Sequence, residues 1–139
     1  MQEVVAQPSG AGERAVSAGP LHGLRVLVTA QTVGLLVAAS FAGQAARGGA
    51  DLAETHVTVA MVVHLIALLQ AVAALLVWRP GRGAGWPAPA SLGLFLVGVG
   101  QHLSRDLPGA HVPGGLTLIG LTAAMLVWVW SPRAALRRS

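Results

Sequence analysis

Four long runs of apolar residues, separated by short segments rich in arginine, glycine and proline, make up most of the chain after its first twenty residues. A helix needs about 20 apolar residues to cross a hydrocarbon core of about 30 Å. The runs cover residues 24–46, 56–78, 88–103 and 111–130, and only the third is short. The pattern therefore predicts an integral membrane protein with four spanning helices.

The composition also favours a lipid bilayer as the partner of this chain. Hydrophobic residues form 54% and charged residues 10% of the 139 positions, and the mean hydropathy is +0.66. Such a chain has too little polar surface to cover a soluble globule. All nine basic residues are arginines scattered near the ends of the runs, which argues against a nucleic-acid partner. The absence of cysteine excludes disulfides and thiolate metal sites.

The arginines also predict an orientation, because short cytoplasmic loops are enriched in arginine and lysine. One side of the predicted membrane carries Arg14, Arg25, Arg79, Arg82, Arg133, Arg137 and Arg138, and the other carries only Arg47 and Arg105. We therefore expect a multi-pass protein of the cell membrane with both termini in the cytoplasm. Residues 1–20 are expected to form a flexible tail, 21–131 a four-span domain and 132–139 a basic tail. Short connections predict an all-α, antiparallel four-helix bundle.

Four histidines lie at or within the apolar runs. His56 and His111 open the second and fourth runs, and because both helices run inward from the same side, we expect their imidazoles at similar depth. His102 ends the third run on that side. His64 lies two turns beyond His56, about 12 Å deeper at 1.5 Å per residue. Three imidazoles are thus expected to converge near the outer surface, next to Glu54.

Two neutral imidazoles that face each other across a helical bundle are typical axial ligands of a b-type haem. The porphyrin of such a haem lies between apolar and small residues. Gly114 and Gly115 follow His111 closely and are expected to leave room for the flat macrocycle. The spacing therefore allows a haem between His56 and His111.

Two other interpretations use the same histidines. Zinc or copper could bind the imidazoles near the outer surface, with Glu54 or Asp106 as a further ligand. Alternatively, these imidazoles occupy a polar interface without any cofactor, and His64 bonds to Gln31, Gln70 or a backbone carbonyl. Spacing alone does not choose among the three.

A family resemblance favours haem. The stretch HVTVAMVVHLIALLQAVAALLVWR, residues 56–79, resembles the second helix of one half of haem A synthase, which begins with a histidine. The stretch LFLVGVGQHLSRDLPGAHVPGGLTLIGLTAAMLVW, residues 94–128, is similar to the third helix, loop and fourth helix of that half, with Gln101 before the loop. The resemblance covers residues 28–130. It implies that His56 and His111 ligate haem iron and that Glu54 corresponds to a glutamate upstream of the first ligand.

The chain also departs from haem A synthase. It has four predicted helices where the full enzyme has eight, and it lacks the cysteine pair of many bacterial members. Glu54 lies two residues before His56 instead of three, and Val57 follows in place of an arginine. We therefore expect haem handling or electron transfer with haem b, and no enzymatic oxidation of a haem methyl group. The alternative is a cofactor-free accessory subunit that packs against a larger membrane complex or a second copy of itself.

The short third run raises a separate question of depth. Its apolar part, residues 90–103, covers about 21 Å as a helix. We expect the helix to begin at Trp86, to continue through Arg105, or both. His102 and Arg105 would then lie at membrane depth and face partner helices or a ligand, because lipid penalises polar side chains. This makes His102 and Arg105 further candidate cofactor residues, with Arg105 paired to a haem propionate.

Overall fold

The computed structural model describes residues 15–136, apart from the side chain of Ala50, and these residues form four α-helices. The helices are α1 (Ala18–Ala45), α2 (Ala50–Trp78), α3 (Pro87–Leu103) and α4 (Pro108–Val129), followed by a short 3-10 helix (Pro132–Ala135). No strand occurs between residues 15 and 136, so the predicted all-helical class is confirmed for that part. Arg14, Arg137 and Arg138, with most of the predicted tails, lie outside the described residues.

Three of the helices begin earlier than the apolar runs that predict them. α1 begins at Ala18 instead of residue 24, α2 at Ala50 instead of 56, and α4 at Pro108 instead of 111. Polar and small residues continue a helix beyond the part that lipid covers, and proline is tolerated in the first turn because its missing N–H has no helical partner there. The predicted boundary at residue 20 therefore falls inside α1.

The four helices pack in a ring. α1 lies against α2 and α4, and α3 also lies against α2 and α4. Because short connections join consecutive helices, neighbours run antiparallel. α2 and α4 are therefore diagonal to each other and run in the same direction.

All four tryptophans lie at one end of this bundle, which we call the tryptophan end: Trp78, Trp86, Trp128 and Trp130. The rings of Trp86 and Trp128 meet edge to face with centroids 4.7 Å apart. Trp130 Nε1 donates a hydrogen bond to Thr29 Oγ1 at 3.2 Å. Indole rings prefer the headgroup level of a bilayer, so this end is typical of a membrane boundary.

The bundle has an apolar exterior and a partly polar interior. Val127 is 74% exposed and Leu116 65%, whereas Gln31 and Gln70 are buried. An exterior of this kind is favourable in lipid and unfavourable in water. By length and composition, α1, α2 and α4 can each cross a membrane.

α3 is shorter than its neighbours. Its 17 residues span about 25 Å. The helix begins one residue after Trp86 and ends at Leu103, and residues 104–106 form a turn. Of the two expected extensions, the start at Trp86 is therefore found to within one residue and the continuation through Arg105 is wrong.

α1 and α2 approach each other closely at Gly34. A Cβ atom added to Gly34 would lie 2.5 Å from Val63 Cγ2, so a larger residue fits only if the Val63 side chain or one of the helices moves. On α4, by contrast, a Cβ atom added to Gly120 would meet nothing within 4 Å. The contact at Gly34 sets the spacing between the helices that carry Ala38 and His56.

Candidate functional site

Two histidines from the diagonal helices meet at the end of the bundle opposite the tryptophans, which we call the histidine end. His56 lies near the start of α2 and His111 near the start of α4. Their ring centroids are 6.1 Å apart and the ring planes make an angle of 76°. Both residues are half-buried. The two imidazoles come together as the sequence predicts, and their role as ligands stays a prediction.

Each of these imidazoles is held by the main chain of another helix. His56 Nδ1 lies 2.7 Å from the carbonyl oxygen of Ala38 on α1, and His111 Nδ1 lies 3.1 Å from the carbonyl oxygen of Gln101 on α3. A carbonyl oxygen only accepts hydrogen bonds, so each Nδ1 carries the hydrogen and donates it. In the neutral imidazole this leaves the lone pair on Nε2. All four helices thus contribute to the position of the pair.

Gln101 contributes its side chain as well as its carbonyl group. Its amide packs against α4, where a Cβ atom added to Gly114 would collide with Gln101 Nε2 and lie 3.2 Å from Cδ. The space next to Gly114 therefore contains the Gln101 amide. The sequence-based expectation of an open slot for a macrocycle at this glycine is wrong.

A second histidine pair lies between α2 and α3. His64 and His102 have ring centroids 5.1 Å apart at 76°, and the His64 ring also packs on Phe95 at 4.4 Å. The glycine at position 98 makes room for this ring, because an added Cβ would lie 2.7 Å from His64 Nδ1.

The second pair changes two expectations. His102 packs with His64 instead of completing a group of three near the surface, because residues 101 and 102 point about 100° apart on a helix and Gln101 faces α4. Between residues 15 and 136, His64 makes no hydrogen bond to Gln31 or Gln70.

The charged residues of the histidine end are exposed. The Arg105 side chain is 70% and the Asp106 side chain 87% exposed, and they form an ion pair with a separation of 3.5 Å between Nε and Oδ2. Glu54 is also exposed. The expectation that Arg105 faces inward is therefore wrong, since the residue lies in the turn that ends α3.

Sequence reasoning identified the two histidines but missed one of their partners. Ala38 acts through its main-chain carbonyl, and an alanine in an apolar run carries no sequence signal for such a role. Gln101 was singled out for its place before the loop, although its contact with Gly114 was not foreseen. In the part of the chain that the structure describes, no group of three or more His, Cys, Asp or Glu side chains is arranged to hold a metal ion.

Comparison of the chain with models of protein families, with curated proteins and with solved structures gives no match. The resemblance to haem A synthase therefore stays a prediction that rests on the sequence stretches quoted above.

Proposed function

We propose that this chain is a four-span protein of the cell membrane that holds a b-type haem between His56 and His111, for haem handling or electron transfer. The observation that carries the proposal is the pairing of two imidazoles from diagonal helices at 6.1 Å. A haem bound there would supply one-electron chemistry at its iron. The residues of the chain would bind the iron, fix the ring orientations and exclude water.

The separation of the rings supports a shared metal. A bond between a metal and an imidazole nitrogen is about 2 Å long, and the ring centre lies roughly 1 Å behind that nitrogen, so two imidazoles on opposite sides of one metal have centres roughly 6 Å apart. The observed separation is 6.1 Å. The separation of the two rings therefore matches that of two histidines that would hold one iron.

The hydrogen bonds of the two rings support the same role. Histidines that bind metals commonly donate their other ring N–H to a carbonyl or carboxylate, which fixes the tautomer and the ring orientation. His56 and His111 donate from Nδ1 to main-chain carbonyl groups. Nε2 of each ring, which carries the lone pair, is consequently the available ligand atom.

The number of available ligands favours haem over zinc or copper. A zinc site uses three or four protein ligands, and no such group of side chains is arranged to hold an ion within residues 15–136. A porphyrin brings four nitrogen donors of its own, so its iron needs only two from the protein. Two histidines are therefore sufficient for a haem iron and too few for a typical zinc site.

The macrocycle would compete with one side chain. The Gln101 amide fills the space against Gly114, directly after the helix turn that carries His111. Gln101 is half-buried in the last turn of α3 and has a flexible side chain, so its amide can turn away while its carbonyl stays bonded to His111. Haem binding should therefore involve a rearrangement of this side chain.

The proposed topology adds α3 as a fourth spanning helix to α1, α2 and α4, which are long and apolar enough to cross a membrane. α3 packs between α2 and α4. It reaches from Trp86 at the tryptophan end to His102 near the histidine end. With α3 as a span, the arginine distribution puts both termini in the cytoplasm. The histidine pair then lies near the outer surface.

Titration of the purified protein with ferric haem in lipid nanodiscs tests this function. We expect a sharp Soret band and, after reduction, the split visible bands of a low-spin iron with two axial histidines. His56→Ala and His111→Ala should each lose this spectrum, and added imidazole should restore it, because free imidazole can fill the vacated axial position. Circular dichroism of each variant separates loss of the ligand from loss of the fold.

His102→Ala is the matched control, because His102 packs with His64 and its side chain is not a hydrogen-bond partner of His56 or His111. This variant should keep the low-spin spectrum. A folded wild-type protein that binds no haem would refute the proposal and favour a cofactor-free accessory subunit. Retention of the low-spin spectrum in both His56→Ala and His111→Ala would reject these two ligands.

A further inference from the structure

The middle of the bundle contains one buried polar side chain from each helix. These are Gln31 on α1, Gln70 on α2, Ser91 on α3 and Thr122 on α4, and their exposure is 2% for Gln31 and 0% for the other three. They lie away from both histidine pairs in sequence, and the proposed haem function does not use them. Burial of polar groups in a membrane protein is unfavourable unless each group is hydrogen-bonded.

Two of these four side chains, Gln70 and Ser91, make direct polar contacts within the bundle. Gln70 Nε2 donates to Ser91 Oγ at 3.2 Å and lies 3.3 Å from Met125 Sδ. Ser91 Oγ also lies 3.6 Å from Met125 Sδ. These contacts fix the Gln70 amide and direct its nitrogen toward α3 and α4. Its oxygen atom is not used by them.

Three buried oxygen atoms have no hydrogen-bond partner among residues 15–136: Gln31 Oε1, Gln70 Oε1 and Thr122 Oγ1. Two of them are amide oxygens, which only accept hydrogen bonds, and the third belongs to a hydroxyl group, which both donates and accepts. An unmet acceptor without access to solvent is strongly unfavourable. Each of the three atoms therefore needs a hydrogen-bond partner other than the side chains of the described residues.

The helix contacts place these residues at similar depth. Gly34 and Val63 lie at the same depth because they are in contact. Toward the tryptophan end, Gln31 follows three residues from Gly34 and Gln70 follows seven residues from Val63. The difference of four residues corresponds to about 6 Å in depth. Arg25 Nε donates a hydrogen bond to the carbonyl oxygen of Val129, which relates the depths of α1 and α4. Toward the histidine end, Gln31 lies six residues from Arg25 and Thr122 lies seven residues from Val129. The difference of one residue corresponds to about 1.5 Å in depth. Gln70 and Thr122 then differ in depth by about 7.5 Å, so the three residues fall within about one and a half helical turns.

The chemistry of these atoms identifies the ligand. The buried polar side chains of the described residues are all neutral, so a metal ion or ammonium group in the middle of the bundle would carry an uncompensated charge. Water is neutral, donates two hydrogen bonds and accepts further ones, which matches two amide oxygens and one hydroxyl group. We propose that the middle of the bundle is a hydration site in which ordered water bridges Gln31, Gln70 and Thr122.

Solid-state NMR of the wild-type protein in lipid tests this site, and variants are needed only to assign its signals. With glutamine labelled at the side-chain nitrogen, magnetisation transferred from water should reach the Gln31 and Gln70 amides. The exposed Gln44 is the positive control, and Gln31→Met and Gln70→Met assign the signals. Transfer to Gln44 with none to Gln31 and Gln70 would show that the middle of the bundle is dry and would overturn the proposal.

A thermal-unfolding cycle supplies the second test. Gln31 has no direct hydrogen bond to Thr122 within the described residues, so a hydrogen-bonded coupling between them would run through a bridging molecule. Gln31→Met and Thr122→Val should each lower the melting temperature, and the double variant should lose less than the sum of the two shifts. Additive shifts, or a rise in melting temperature in either single variant, would refute a shared water.

The same cycle in sodium chloride and in choline chloride distinguishes water from a bound cation. A melting temperature that is equal in the two salts is expected for water. A wild-type protein that is stabilised by sodium, with this stabilisation absent in Gln31→Met, would replace water with a cation and overturn the assignment.

Discussion

Substitution of Gly34 by alanine tests the helix contact that positions the histidine end. In Gly34→Ala the new Cβ would lie 2.5 Å from Val63 Cγ2, well inside van der Waals contact. The valine cannot turn away easily, because a β-branched side chain in a helix has one strongly preferred rotamer. We therefore expect α1 and α2 to move apart to relieve the clash, and Ala38, one turn after Gly34, to move with α1.

The expected magnitude combines two opposing effects. Alanine in place of glycine in a helix stabilises by about 0.5–1 kcal/mol. Overpacking of a close contact destabilises by about 1–3 kcal/mol. Gly120→Ala is the matched control, because its Cβ meets nothing within 4 Å and only the first effect applies. We therefore expect Gly34→Ala to be less stable than Gly120→Ala by about 1–3 kcal/mol.

Unfolding in mixed micelles with increasing dodecyl sulfate, followed by tryptophan fluorescence, measures this difference. Val63→Ala should relieve the clash, so the Gly34→Ala and Val63→Ala substitutions should show favourable coupling when combined. Haem affinity should also fall in Gly34→Ala, because the contact of His56 Nδ1 with the Ala38 carbonyl lengthens. Equal stability of Gly34→Ala and Gly120→Ala would refute the close approach of α1 and α2.

Three further predictions concern topology, the proposed propionate contact and the tryptophan end. Because the chain has no cysteine, single cysteines report sidedness: Arg82→Cys should react with an impermeant thiol reagent only from the cytoplasm and Arg47→Cys only from outside, and the reverse pattern would reject the orientation. Arg105→Ala should change stability by less than about 0.5 kcal/mol, because its ion pair is exposed; if the exposed guanidinium pairs with a haem propionate, haem affinity should fall by no more than about fivefold, equivalent to about 1 kcal/mol, and unchanged affinity would exclude that contact. Trp130→Phe should lose about 1 kcal/mol of unfolding free energy with the hydrogen bond to Thr29, whereas Thr29→Val combined with Trp130→Phe should lose little more.

The helices could be predicted from the sequence because lipid imposes a long apolar run on each spanning helix. The ends at Trp78 and Leu103 match the runs. The starts of α1, α2 and α4 do not, because an apolar run marks what lipid covers and a helix extends beyond it. Hydropathy therefore cannot predict the helix starts at Ala18 and Ala50.

The similar depth of His56 and His111 could be predicted from the direction of their helices. The rotation of each helix about its own axis could not be predicted from the sequence. The rotation of α3 about its axis depends on the contact of Gln101 with Gly114. This is a tertiary contact, which the spacing of residues along the sequence does not encode. That rotation decides that His102 meets His64. The position of Arg105 outside α3 also depends on where that helix ends.

The acceptors of His56 and His111 are main-chain carbonyl groups, and this has a consequence for how such proteins diverge. Any amino acid at position 38 brings the same carbonyl oxygen, so related chains can change in sequence there and still hold the His56 ring in one tautomer, whereas the side chain at position 101 is also constrained by its contact with Gly114. A search for invariant residues would find the histidines and overlook what orients them. Insertions or deletions that slide α1 along α2, or α3 along α4, would be the changes that selection removes.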